Sequence, residues 1–179
     1  MPTIRTVKES DIPELLAIYA PYVLNTAITF EYEIPSAEEF QRRIQKTLLK
    51  YPYLVLEEAG QILGDAYAST YYDRRAYDWS VELSIYLHQE PQGRGLGSIL
   101  YDHLEEELES RGFLRFLACI ALPNDRSISL HQKTGYKQVA HFPKIGYKFG
   151  KWHDIVWMQK SLTPPDEMSK SPSTRIQSR

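Results

Sequence analysis

The hydrophobic positions of this chain change period several times, and each change marks an element. Residues 3–7 alternate and predict a strand. Ser10 or Asp11 then caps a helix with Pro13 in its first turn and Ile12, Leu15, Leu16, Ile18 and Tyr19 on its apolar side; Pro21 predicts a kink or break in it. A short extended piece, Ala27 to Tyr32, leads to Pro35, and Ser36 with Glu39 has the spacing of a capping box for a helix running to about Lys50. Tyr53 to Glu57 and Gln61 to Tyr71 read as two strands joined at Ala59-Gly60. Residues 80–88 alternate again. Leu96, Ile99, Leu100, Leu104 and Leu108 mark a helix closed by Gly112. Phe116 to Ala121 reads as a buried strand, and Pro123-Asn124-Asp125 turns into a short helix that stops at Gly135. Strands near 136–147 and 153–160 complete the pattern. About seven strands and four unevenly placed helices predict an α+β domain over residues 1–162, with a mobile tail over 163–179 after the Pro164-Pro165 stop.

Composition narrows the function classes. The chain has 179 residues, 42% hydrophobic and 25% charged, enough for one domain with a substantial core. A net charge of −2 gives no electrostatic footprint for nucleic acid. No apolar run is long enough to span a bilayer and no signal peptide is recognisable. The single cysteine, Cys119, excludes an internal disulfide and fits a reducing compartment, so a cytoplasmic protein is expected. Thirteen tyrosines is a high count; Tyr67, Tyr71, Tyr72 and Tyr77 lie close together in sequence, with Trp79 nearby. No metal site is expected, since the five histidines are scattered and His153-Asp154 has no third ligand at useful spacing.

The segment Gln92-Gly93-Arg94-Gly95-Leu96-Gly97 lies between a strand and a helix N-terminus, an arrangement that cradles phosphate. A P-loop reading fails because no lysine precedes Ser98. A dinucleotide fingerprint fails because the glycines fall at 93, 95 and 97 rather than at G-x-G-x-x-G spacing. A glycine-rich turn that merely starts the helix is the bland alternative. The pattern Gln/Arg-x-x-Gly-x-Gly/Ala is met by Gln92, Gly95 and Gly97, and it resembles the acyl-CoA loop of the GNAT superfamily of N-acetyltransferases. The element order also matches that fold.

The likeness extends further. Ala76-Tyr77-Asp78-Trp79, Val81-Glu82, Gln92 to Tyr101, Leu122-Pro123-Asn124-Asp125, Leu130-His131, Gly135-Tyr136 and Gly146 to Asp154 are ordered as in one branch. Over residues 3–162 the chain resembles the phosphinothricin N-acetyltransferases and the related methionine sulfoximine/sulfone acetyltransferases. The resemblance implies the GNAT fold, a mixed, mostly antiparallel sheet. It implies acetyl-CoA as donor, a small-molecule amine as acceptor, and a homodimer. It further implies that the strand end Ile85-Tyr86-Leu87 pairs with the pantetheine arm, that Gly93, Arg94, Gly95, Leu96, Gly97 and Ser98 cradle the pyrophosphate, and that Asn124 bonds the pantetheine or cysteamine segment.

Candidate chemistry follows from residue types. An α-ammonium group with a pKa near about 8 must lose a proton before attacking a thioester, so a modest base suffices. Glu82 is the candidate: Val81, Leu83, Ile85 and Leu87 point one way along the strand, and Glu82, Ser84 and Tyr86 the other. A solvated strand residue or a structural ion pair is the alternative. His131 stands where many GNAT enzymes carry a tyrosine thought to protonate the departing thiolate; a packed helix histidine bonded to a carbonyl is the alternative. The roles of Glu82 and His131 are interchangeable at this level. The Leu87 N–H is expected to stabilise the developing thioester oxyanion. An amino-acid or phosphinate acceptor favours Arg or Lys in the pocket, for which Arg74, Arg75 and Lys148 are candidates, with Phe30, Tyr77 and Trp79 as walls. Asp65 departs from the aromatic residue common after the equivalent glycine in this branch. Other amine acceptors (a polyamine, an aminoglycoside or a protein N-terminus) and a non-catalytic CoA sensor are the competing functions.

Overall fold

The computed structural model describes residues 1–89, residues 93–163 and Pro172. Gln92 and the tail proposed beyond Thr163, Pro172 apart, lie outside the described residues. The elements are β1 (Thr3–Thr6), α1 (Ile12–Asn25), α2 (Ala37–Leu48), β2 (Tyr53–Glu58), β3 (Gln61–Thr70), β4 (Ser80–Leu87), α3 (Leu96–Ser110), β5 (Arg115–Ala121), α4 (Asp125–Lys133), β6 (Lys137–Lys148) and β7 (Lys151–Ser161). They form a seven-stranded sheet in the order β1-β2-β3-β4-β5-β7-β6. Every pairing is antiparallel except that of β4 with β5. This is the α+β, mostly antiparallel architecture that the pattern predicts.

Alternation along the strands splits the core in two. On one face Leu54, Leu56, Ala66, Ala68, Val81 and Leu83 meet Leu100, Tyr101, Leu104 and Leu108 of α3. Each of these α3 leucines is fully buried, worth roughly 1.5–3 kcal/mol apiece. On the other face Tyr53, Val55 and Ile62 meet Ile12, Leu15, Ile18, Tyr19 and Val23 of α1 and Phe40 and Ile44 of α2.

Three local expectations are corrected. The first helix continues through Pro21 to Asn25, because Ile18, Tyr19 and Val23 on either side are buried and hold that turn in place. Ala27 to Tyr32 forms bends rather than an extended piece: it has no strand partner, and Thr26 Oγ1 donates to the Tyr22 carbonyl at 2.6 Å, wrapping the chain back on the helix end. Ser36 caps α2 through the Glu39 N–H at 3.1 Å, but the Glu39 carboxylate bonds the Arg43 Nε at 3.1 Å instead of closing the box. Two single-turn 3-10 helices, Glu9–Asp11 and Arg75–Tyr77, add to the pattern.

Candidate active site

The parallel seam makes the first half of the site. β4 and β5 pair only at Ser80 with Arg115, Val81 with Phe116 and Glu82 with Leu117. Beyond Glu82 the strands part, and the gap is lined by Ile28, Leu83 to Tyr86, Tyr101, Ala118 to Ala121, Asn124, Ser127 and His131. Hydrogen-bond phase decides what the open edge offers. The His88 N–H donates to the Leu63 carbonyl at 2.8 Å, and hydrogen-bonded pairs alternate in an antiparallel ladder. Ile85 and Leu87 therefore turn their N–H and C=O groups away from β3 and into the gap, whereas the Tyr86 backbone pairs with Asp65. The Tyr22 hydroxyl takes the Leu87 carbonyl at 2.7 Å, leaving the Leu87 N–H facing the gap.

The gap leads to the N-terminus of α3. Gly93 and Gly95 have φ of 85° and 70°, left-handed conformations that a side chain resists, and the space a Cβ would take is open at both. The first N–H groups of α3, from Leu96 to Ser98, have no intrahelical partner and face an anion with the positive end of the helix dipole. Arg94 is exposed and bidentate to Glu58, at 2.7 and 2.9 Å. Asn124 caps α4 by accepting the Ser127 N–H at 3.1 Å, so its side-chain oxygen is engaged and its NH₂ is the part left for a ligand. An edge of unpaired backbone ending in a glycine turn and a helix N-terminus fits a long ligand with amides along its chain and phosphate at one end.

On the opposite face of β4 lies a cavity of about 320 Å³. Its walls are Tyr19, Phe40, Arg43, Ile44, Thr47, Tyr53, Asp65, Tyr67, Ser69, Glu82, Ser84 and Tyr86. Ser84 and Tyr86 line both spaces, so the cavity and the gap meet across β4. Glu82 faces this cavity at the point where the seam opens. Burial pushes its carboxyl above the usual carboxylate range, toward the working range of a base for an ammonium group. Asp65 lies on the same face at only 3% exposure, and burial raises it to about 7, opposed by the Tyr53 hydrogen bond at 2.8 Å.

His131 belongs to the gap, not the cavity. Its Nδ1 lies 2.7 Å from the Ser127 carbonyl, which requires Nδ1–H as donor, and its Nε2 then accepts from the Tyr101 hydroxyl at 2.8 Å. Burial lowers the imidazole pKa and the Ser127 bond partly opposes it, favouring the neutral ring.

The remaining candidates fall into two groups. Arg74, Arg75 and Tyr77 are exposed on the β3–β4 connection. Tyr77 packs edge-on against Tyr71, which packs in turn against Trp157. Trp79 is half-buried, and its carbonyl accepts the N–H groups of Leu114 and Arg115. Phe30 lies against Gly146, where a Cβ would meet the ring at 2.2 Å. Lys148 is turned inward at 2% exposure, donating to the carbonyls of Val23 and Thr29 at 2.8 and 2.9 Å. Its charge ties the loop after α1 to the end of β6. None of these six residues lines the 320 Å³ cavity. The cavity instead draws on Tyr19, Arg43, Tyr53 and Tyr67, which sequence reasoning did not place in a site. The signal available for it was Asp65, a charge inside an otherwise apolar strand.

Comparison with known proteins agrees with this geometry. The acetyltransferase (GNAT) domain family matches residues 4–157. The phosphinothricin N-acetyltransferase of Streptomyces viridochromogenes is 36% identical over 162 residues, covering 90% of this chain and 88% of the relative. The L-methionine sulfoximine/L-methionine sulfone acetyltransferase of Salmonella typhimurium is 36% identical over 164 residues, covering 89% and 94%. The crystal structure of a GNAT phosphinothricin acetyltransferase from Sinorhizobium meliloti in complex with acetyl-CoA superposes with a TM-score of 0.89 at 34% identity, covering 96% of this chain and 97% of that one. A split seam, a glycine turn feeding a helix N-terminus and a family match over most of the length converge on one assignment: the chain belongs to the GNAT acetyltransferases.

Proposed function

We propose that this protein is an acetyl-CoA-dependent N-acetyltransferase that acetylates the amino group of a small amino-acid-like acceptor, of the phosphinothricin or methionine sulfoximine/sulfone type. The observation that carries the reading is the meeting of two spaces at β4: the gap with free backbone and the tyrosine-lined cavity share Ser84 and Tyr86. Acetyl-CoA, when bound, supplies an activated acetyl thioester. Ile85 and Leu87 hold its amide-bearing arm through their backbone, residues 93–98 hold its phosphates, and the Asn124 NH₂ adds a donor along the way. Glu82 accepts the proton of the acceptor ammonium, directly or through a water. The Leu87 N–H faces the developing oxyanion. His131, on the gap side of β4, serves as the acid for the departing sulfur once its Nε2 has taken up a proton from solvent; in the resting neutral ring that nitrogen accepts from Tyr101. The separation of Glu82 and His131 between cavity and gap favours this division of roles over the reverse.

The same reading takes the protein as a cytoplasmic homodimer that binds neither nucleic acid nor membrane. Phe142, Ile145, Tyr147, Phe149 and Trp152 expose a run of large apolar side chains on β6, β7 and the turn between them. A face of this kind on a long edge strand favours a partner copy. Among the described residues no helix is long and apolar enough to cross a membrane.

The test is release of CoA thiol from acetyl-CoA across phosphinothricin, methionine sulfoximine, methionine sulfone, common amino acids, spermidine and a peptide. Saturable turnover with the amino-acid group is expected. Glu82→Gln should lower kcat by about 10²–10³-fold while acetyl-CoA affinity stays within about twofold. Full turnover in that variant removes Glu82 from the mechanism, and acetyl-CoA binding without turnover of any amine removes the enzymatic reading.

A further inference from the structure

Both ring nitrogens of His131 are engaged. Nδ1 lies 2.7 Å from the Ser127 carbonyl and 3.3 Å from the Ser127 hydroxyl, so the proton of the neutral ring sits on that side. Nε2 has a single in-plane lone pair, and the Tyr101 hydroxyl meets it at 2.8 Å. A proton taken up by Nε2 therefore points at the Tyr101 oxygen and not at a ligand in the gap. Two tyrosine rings stand edge-on to the imidazole, Tyr101 at 81° and Tyr136 at 88°, each with its centroid 5.1 Å away. The Tyr136 hydroxyl is committed to Glu105 at 2.8 Å, and Lys160 holds the other oxygen of that carboxylate. Tyr101 is thus the one of the two that bonds the histidine, and both partners of that bond line the gap. Tyr101 stands on α3, the helix whose N-terminus faces the phosphate site, and His131 stands on α4 beyond the Asn124 cap. Burial pushes the Cys119 thiol in the same gap up to about 11 and holds the Tyr101 phenol well above its ordinary value. Neither group gives up a proton on its own near neutral pH. A hydroxyl both donates and accepts, however, so Tyr101 can give up one proton while receiving another.

We propose that the proton for the departing sulfur passes through the Tyr101 hydroxyl, which makes Tyr101 a catalytic residue with His131 as the source behind it. This rests on the acetyl-transfer reading above and deepens it. Tyr101 gives its hydroxyl proton to the sulfur as the carbon–sulfur bond breaks and the electron pair of that bond goes to sulfur. In the same step the Tyr101 oxygen takes the Nε2 proton, and the imidazolium becomes the neutral ring. The end state is the resting arrangement, with Tyr101 donating to Nε2, so neither side chain has to turn. Solvent in the open gap reloads the ring by the reverse passage, through the same oxygen.

The experiment follows single-turnover release of CoA thiol, with the best acceptor of the amine panel, in wild type, Tyr101→Phe, His131→Gln and the double variant. Acetyl-CoA affinity is measured in each by calorimetry. Each single variant should slow the chemical step by about 10²-fold while acetyl-CoA affinity stays within about twofold, and the double variant should fall no more than about threefold below the slower single one. Losses that multiply to about 10⁴-fold mean independent roles and overturn the proposal, and so does a Tyr101→Phe variant that runs at the wild-type rate. A second measurement reads the protons themselves, as the wild-type rate in mixtures of light and heavy water. Two protons moving together give a bowl-shaped dependence on the deuterium fraction, which should straighten in Tyr101→Phe. A straight line in wild type overturns the proposal without any variant, and a bowl that persists in Tyr101→Phe leaves Tyr101 as no more than a positioning residue for His131. If acetyl-CoA binds but no amine is acetylated, the enzymatic reading itself fails and takes this one with it.

Discussion

At the scale of single residues, burial raises both carboxyls that line the cavity, Glu82 and Asp65, and at Asp65 the Tyr53 hydrogen bond opposes the shift. Asp65, raised to about 7, binds a proton more tightly in the fold than in the unfolded chain. Its contribution to stability is therefore full below the ordinary aspartate range near about 4 and is lost as pH rises through about 7. Asp65→Asn, which cannot ionise, should be more stable than wild type at pH 8 by on the order of 2–4 kcal/mol, with the gap narrowing to about 1 kcal/mol at pH 4.5. Thermal melts at the two pH values check this; an offset that does not change with pH would show that Asp65 stays ionised in the fold. Glu82 was legible from strand alternation, since a carboxylate faces the side opposite Val81 and Leu83. Lys148 was not. A lysine near a cleft reads as a free cation, and its capture by the Val23 and Thr29 carbonyls depends on the last turn of α1 and the loop after it, more than a hundred residues earlier, as the separations of 125 and 119 show.

At the scale of elements, the phase of β4 matters more than its length. Its free edge exists because β5 leaves after Glu82, and its position against β3 depends on Gly64. A Cβ there would lie 2.6 Å from Leu87 Cδ2 and 2.9 Å from the Tyr86 carbonyl oxygen. The second of these is backbone and has nowhere to rotate. Gly64→Ala should therefore cost about 1–3 kcal/mol and shift the Ile85–Leu87 edge, weakening acetyl-CoA binding by about tenfold or more. Calorimetric titration of the folded variant checks it; unchanged affinity would mean that β4 does not present the donor edge. Period and turn chemistry made most elements readable from sequence, including the Ser36 cap and the Ala59-Gly60 turn, where φ is positive at both residues. The stretch from Ala27 to Tyr32 misleads because Ile28, Thr29 and Phe30 have strand propensity but no neighbouring strand to pair with.

At the scale of the whole molecule, the site is an assembly of distant pieces. The cavity takes Tyr19 from α1, Phe40 and Arg43 from α2, Tyr53 from β2 and Tyr86 from β4. No local pattern announces such a convergence, so the glycine turn before α3 was legible in sequence and the cavity was not. The exposed run on β6 and β7 belongs to this scale as well. Trp152 is 60% exposed, so Trp152→Glu should leave the fold intact and raise the dimer dissociation constant by about tenfold or more, as read by sedimentation. A wild type that sediments as a monomer would remove the dimer from the proposed function.

The three-rung seam also divides the sheet into two antiparallel halves, β1 to β4 and β5 to β7, joined by little backbone hydrogen bonding. A ligand that lays its amides along the parted strands completes the sheet it binds to. Such a protein becomes a gauge of its own substrate: at a donor concentration a hundredfold above the dissociation constant it gains about 2.7 kcal/mol of stability, visible as a melting temperature that climbs with acetyl-CoA. When the donor runs short, that added resistance to unfolding is lost together with activity.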